Sequence, residues 1–162
     1  HTVALCDWGS EVCSSDPDAQ TANAQPAIDW TRQQLSPQQV AVLAALPMTA
    51  MAEDALLVHA SAEGPGNWSY VTSDRQAVGS FQSTTAQLIL VGHVHVPLLV
   101  SCEMSGMVRE QRSKTGRPVP LIRARRWLAV VGSVGQPRDQ NPAASSAIYD
   151  STANALTFPK RP

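Results

Sequence analysis

The sequence predicts an α/β fold that begins with helices and ends in a mostly antiparallel β region. Three observations carry this reading. Residues 27–35 and 36–46 have the apolar spacing of helices, the second opened by Ser36 as an N-cap and Pro37 at the first helical position. Residues 87–91 form a short apolar run that stops at Gly92, as a buried strand does. From there on the apolar runs are short and separated by Gly, Pro, Asn and Ser, which suits strands and not helices.

Each element follows from its residues. In the first helix Ile28, Thr31 and Leu35 share one face, with Trp30 beside them. Pro47 stops the second helix. The runs M-T-A-M-A-E and A-L-L-V-H, split by Glu53-Asp54, suit a hairpin. A loop rich in Gly and Pro (62–67) leads to W-S-Y-V, and Asp74 is expected to cap a helix running to about Gln82. Further strands are expected at 96–102, 120–123, 126–131, 145–150 and 155–158. Residues 7–26 read as a loop, and no internal repeat is visible.

Composition narrows the function classes. The chain has 162 residues, 43% hydrophobic and 15% charged, enough for a sizeable core and unlike a disordered polypeptide. A net charge of −1 gives no field that would point to nucleic acid or an anionic membrane. The local cluster Arg123, Arg125 and Arg126 reads as a solvated strand end. No apolar run approaches the ~20 residues of a membrane helix, and no signal peptide is visible. Cys6, Cys13 and Cys102 make no C-x-x-C pair, a sparse set that fits a reducing cytoplasm and leaves room for one disulfide.

The histidines carry the chemistry. Three of the four sit at the ends of apolar runs: His59 after A-L-L-V, and His93 and His95 after L-I-L-V-G. Strand ends are where side chains can converge on a cleft. In an extended segment an H-x-H pair points both rings to one side, and Gly92 permits a sharp turn before it. Neutral imidazole is a common ligand for divalent metals, so three such rings form a plausible partial site. A single strand-end histidine is more often a hydrogen-bonded structural residue, so the signal lies in their number. Trp68 and Tyr70 could line a pocket, although aromatics after a loop more often belong to the core.

Four segments in series then resemble one family. G-H-V-H-V-P resembles the G-H-T-H-x-P signature of calcineurin-like metallophosphoesterases, and L-L-V-H-A-S their upstream L-L-V-H-G-S. G-S-V-G-Q-P-R-D matches a segment of a bacterial and archaeal phosphodiesterase branch, and A-I-Y-D and D-W-T-R-Q-Q-L-S-P also fit. The resemblance spans about 28–158. It implies a two-sheet β-sandwich flanked by helices, with a site for two divalent metal ions (Mn, Fe, Ni or Zn) at the strand ends. By resemblance His59 and His93 bind one ion and His95 the other, and His1 takes the place of the family's candidate general acid. The reaction implied is metal-dependent hydrolysis of a phosphorylated small molecule or phosphodiester by an activated water.

The sequence also departs from the family. It contains no D-x-H and no G-D, and Gly66-Asn67 is followed by Trp68 in the wrong place to supply the G-N-H motif. Ala60 and Val94 replace the usual Gly and Thr; Val94 is expected to point away from the metal side. Residues 132–139 read as a structural turn, with Gly132 and Gly135 allowing tight backbone and Arg138 and Asp139 pairing locally. With His at position 1 and K-R-P at the end, residues 1–162 read as a single partial metallophosphoesterase domain, shortened at the N-terminus and at the C-terminus. Such a chain is expected to leave central strands with open edges, favouring oligomers. Two other readings stay open: a non-catalytic binding or regulatory module on the same scaffold, and a single-zinc hydrolase using three histidines.

Overall fold

Alternation along the strands is what builds the core. In a computed structural model that describes residues 2–4 and 25–162, Leu88 and Leu90 point into one apolar cluster, and Ile89 and Val91 into a second on the opposite face. Trp127 and Ala129 likewise oppose Leu128 and Val130. A strand buried on both faces reads as a continuous apolar run, which is why L-I-L-V has no polar partner in its alternation.

Those strands belong to a six-stranded sheet of order β2-β3-β4-β8-β5-β6. Its members are β2 (Thr49–Ala52), β3 (Ala55–Val58), β4 (Leu88–Val91), β5 (Leu98–Glu103), β6 (Val108–Gln111) and β8 (Arg125–Val130). β3, β4 and β8 run parallel; β2, β5 and β6 are antiparallel to their neighbours. The helix α3 (Asp74–Ser83) makes the β3-to-β4 crossover and lays Ala77 and Phe81 on one face of the sheet. A four-stranded sheet lies on the other face, in the order β1 (Thr2–Ala4), β10 (Ile148–Asp150), β11 (Ala155–Thr157) and β7 (Val119–Pro120). Its Tyr149 and Leu156 fill the inter-sheet core with Leu88, Leu90 and Leu99. A two-stranded sheet pairs β9 (Ala144–Ser145) with β12 (Lys160–Arg161).

The helices α1 (Gln25–Gln34) and α2 (Pro37–Ala44) belong to a separate compact unit. The α2 cap is as expected: Ser36 Oγ accepts from Gln39 N while Gln39 Oε1 accepts from Ser36 N. At α3 the cap is Ser73, whose side chain accepts from Gln76 N, and Asp74 is the first helical residue. Asp74 there places its charge in the first turn, where the helix dipole favours it.

Two further expectations are corrected. Arg126 is not a solvated end: its guanidinium donates to the carbonyls of Phe81 (2.7 Å), Thr84 and Ala86 (3.0 Å), closing the C-terminal end of α3. Among the described residues the central strands of this sheet have no open edge, because β3, β4, β8 and β5 each have a strand on both sides. Cys102 is a free thiol, while Cys6 and Cys13 lie outside the described residues. Among the described residues no helix is long and apolar enough to cross a membrane.

Candidate functional site

The site grows from the C-terminal ends of two adjacent parallel strands. β3 and β4 are in register from Ala55↔Leu88 to Val58↔Val91, so the residues that follow them emerge side by side. Gly92 N donates to His59 O at 2.9 Å, which ties the two exits together. His59 Nε2 and His93 Nδ1 then lie 3.1 Å apart, although 34 residues separate them in sequence.

The H-x-H segment is not extended. Residues 92–97 form a bend between β4 and β5, and the positive φ angles fall on His93 (66°) and His95 (64°), not on the glycine before them. His is among the few non-glycine residues enriched in this left-handed region, and such backbone clusters at functional sites. Val94 between them turns inward and joins the core beneath α3, as expected. The bend therefore sends one apolar side chain into the core and presents a histidine on either side of it.

His95 is held differently from His93. It is buried, with 4% exposure. Its Nδ1 lies 2.9 Å from Gln136 O, and its own carbonyl accepts from Arg138 N at 3.1 Å. A carbonyl can only accept, so Nδ1 carries the proton. That is the arrangement in which an outer hydrogen bond prepares an imidazole to ligate through its other nitrogen. Gln136 acts through its backbone, which no side-chain motif could have revealed.

The loop behind His95 is anchored from afar. Gly132 has φ 83°, and a Cβ there would meet Ser145 Oγ at 2.5 Å and Ser145 Cβ at 2.7 Å. The expected local pair of Arg138 with Asp139 is not formed. Arg138 Nη2 donates to Gln136 Oε1 at 2.8 Å, and Asp139 pairs with Lys160 on β12. The Lys160 ammonium holds the Asp139 carboxyl below the usual carboxylate range, against a smaller opposing effect of burial. Asp139 Oδ1 is buried and makes no hydrogen bond.

Aromatic rings surround the His59–His93 pair. Tyr70 stacks on His93 at 4.4 Å between centroids and 24° between planes. Trp68 meets His59 edge-on at 5.0 Å and lies 5.8 Å from His93. Trp68 is delivered by the 3-10 turn Pro65–Asn67 and itself has φ 54°. Neither ring belongs to the core clusters, so the core reading of these aromatics is corrected.

The histidine half of a metal site fits this geometry. Two nitrogens 3.1 Å apart have the spacing of adjacent ligands at metal–nitrogen distances of about 2.0–2.1 Å. The carboxylate half is not found: among the described residues no group of three or more His, Cys, Asp or Glu could hold an ion. Among the described residues His95 is thus not grouped with His59 and His93. His1, the sequence-based candidate acid, lies outside the described residues.

No protein-family model matches the chain. It is 30% identical over 129 residues to an uncharacterized protein of Methanocaldococcus jannaschii, an alignment covering 76% of this chain and 49% of that protein. The fold resembles the crystal structure of a metallophosphoesterase from Sphaerobacter thermophilus, with a TM-score of 0.74 and 29% identity. That match covers 96% of this chain and 63% of the other. The chain thus spans about half the length of the archaeal relative and under two thirds of the bacterial one. Parallel strands ending in histidines, a second sheet packed across them and this structural likeness together give the chain a metallophosphoesterase-type fold.

Proposed function

We propose that the chain carries the histidine half of a two-metal phosphoesterase centre, His59 and His93 ligating one divalent ion and His95 the other. The observation that carries this is the 3.1 Å approach of His59 Nε2 and His93 Nδ1 at the ends of paired parallel strands. At that spacing either one shared proton or one shared cation lies between the nitrogens. Divalent metal bound there would supply Lewis acidity and a water of lowered pKa for in-line attack on a phosphodiester.

The chain's own residues orient and hold. The β3–β4 register sets the His59–His93 separation, and the hydrogen bond from Gly92 to His59 fixes it. The Gln136 carbonyl accepts from His95 Nδ1 and so fixes the orientation of the ring. Tyr70 and Trp68 limit the rotation of the two rings and shield one side of them from water.

The test is metal titration of the 162-residue chain and its single alanine variants. His59→Ala and His93→Ala should each remove the same metal equivalent, and His95→Ala should leave that equivalent in place. Three identical losses would contradict the split. The second reading, a non-catalytic module on this scaffold, is favoured by the lack of a three-ligand group among the described residues. Metal-dependent turnover of bis(p-nitrophenyl) phosphate by the chain would exclude it.

A further inference from the structure

Trp68 is placed at some cost, and Tyr70 is left half open. A bulky aromatic with positive φ is a backbone outlier, and Trp68 has one at 54°. Tyr70 covers His93 with its ring yet stays 49% exposed. A side chain needed only to brace His93 could be smaller and better buried. Strained backbone at Trp68 and an open ring at Tyr70, both against the same two histidines, are instead the pattern of a ligand contact.

We infer that Trp68 and Tyr70 form a stacking platform for a planar aromatic group on the substrate, a nucleobase or simple aryl ring. This names a substrate class for the proposed site and rests on the metal-site reading. Any group held at His59 Nε2 and His93 Nδ1 lies within a ring's breadth of Tyr70, because the Tyr70 and His93 centroids are 4.4 Å apart. A phosphoester placed at the nitrogens can therefore lay its organic group along the aromatic wall. Stacking accepts any π face, so the platform selects for an aromatic group without reading its edges.

The experiment is NMR titration of the zinc-loaded chain with adenosine, adenosine 5′-monophosphate, ribose 5-phosphate and phenyl phosphate, read at the Trp68, Tyr70 and His93 rings. Adenosine and its monophosphate should shift both platform rings, and ribose 5-phosphate should shift neither while moving His93. Phenyl phosphate binding as tightly as the nucleotide assigns the platform to simple aryl groups; weaker binding assigns it to nucleobases. Tyr70→Ala and Trp68→Ala should each weaken adenosine binding about tenfold and Tyr70→Phe should retain it. Ribose 5-phosphate affinity should be unchanged in Tyr70→Phe and should fall by less than the adenosine affinity in the two alanine variants, which also release the histidine rings. Adenosine that shifts neither ring, or a Tyr70→Ala loss equal for ribose 5-phosphate and the nucleotide, overturns the inference. If adenosine binds and ribose 5-phosphate does not, the platform stands and the phosphoesterase reading fails.

Discussion

His93 and His95 are two residues apart and share one backbone conformation, yet they are built into the molecule in different ways. His95 is buried and fixed by backbone: its Nδ1 donates to the Gln136 carbonyl, and Arg138 N donates to its carbonyl. His93 is half-buried and fixed by rings, Tyr70 on its face and His59 at its nitrogen. The first arrangement is rigid and depends on a loop far away in sequence. The second is half-buried and packed by aromatic rings. A site that needs one firmly preset histidine and one facing an incoming substrate is served by that difference.

The contrast can be broken first at Gly132. Gly132→Ala places a side chain in the left-handed region and into Ser145. We expect a loss of about 3 kcal/mol from backbone strain plus overpacking. Thermal melting measures it, and metal titration should show the His95 site weakened more than the His59–His93 site. Equal weakening would mean that the loop does not act through His95.

Next in size is the anchor. Lys160→Met leaves the Asp139 carboxylate without its charged partner and should cost about 1.5–3 kcal/mol at neutral pH by denaturant melts. The pH dependence has a definite sign. Because folding lowers the Asp139 pKa, the pair's contribution is present above the unfolded carboxylate value of about 3.9 and is lost as pH falls through the lower folded value. Wild type and Lys160→Met should therefore begin to converge in stability below about pH 4 and meet only below the folded Asp139 value. A constant gap down to pH 2 would rule out Asp139 as the source.

The smallest effect is expected on the other side. Tyr70→Ala removes an exposed stack and should cost under about 1 kcal/mol, without changing the His95 ring resonances. A large loss would show that the ring braces the fold.

These regions were not equally legible in the sequence. The exits of β3 and β4 could be read directly, since A-L-L-V-H and L-I-L-V-G-H announce buried strands ending in histidine. The α2 cap was legible for the same local reason, Ser36 being followed by Pro37 and Gln39. The His95 support was not, because it runs through the Gln136 backbone carbonyl and through Lys160, 21 residues beyond Asp139. The bend at H-x-H departs from the extended geometry that its pattern suggests, since a left-handed φ on two histidines leaves no composition signal. Trp68 and Tyr70 looked like core residues because nothing in W-S-Y-V indicates which side of the sheet end they face.

The central claim is that His59 and His93 share one ion while His95 stands apart with Nδ1 protonated. Nitrogen-15 spectra of the histidine rings during zinc titration test it most directly. The account predicts that His59 Nε2 and His93 Nδ1 move together in one step, and that His95 responds in another step at Nε2 with its Nδ1 proton retained. A single step moving all three rings, or loss of the His95 Nδ1 proton, would contradict it.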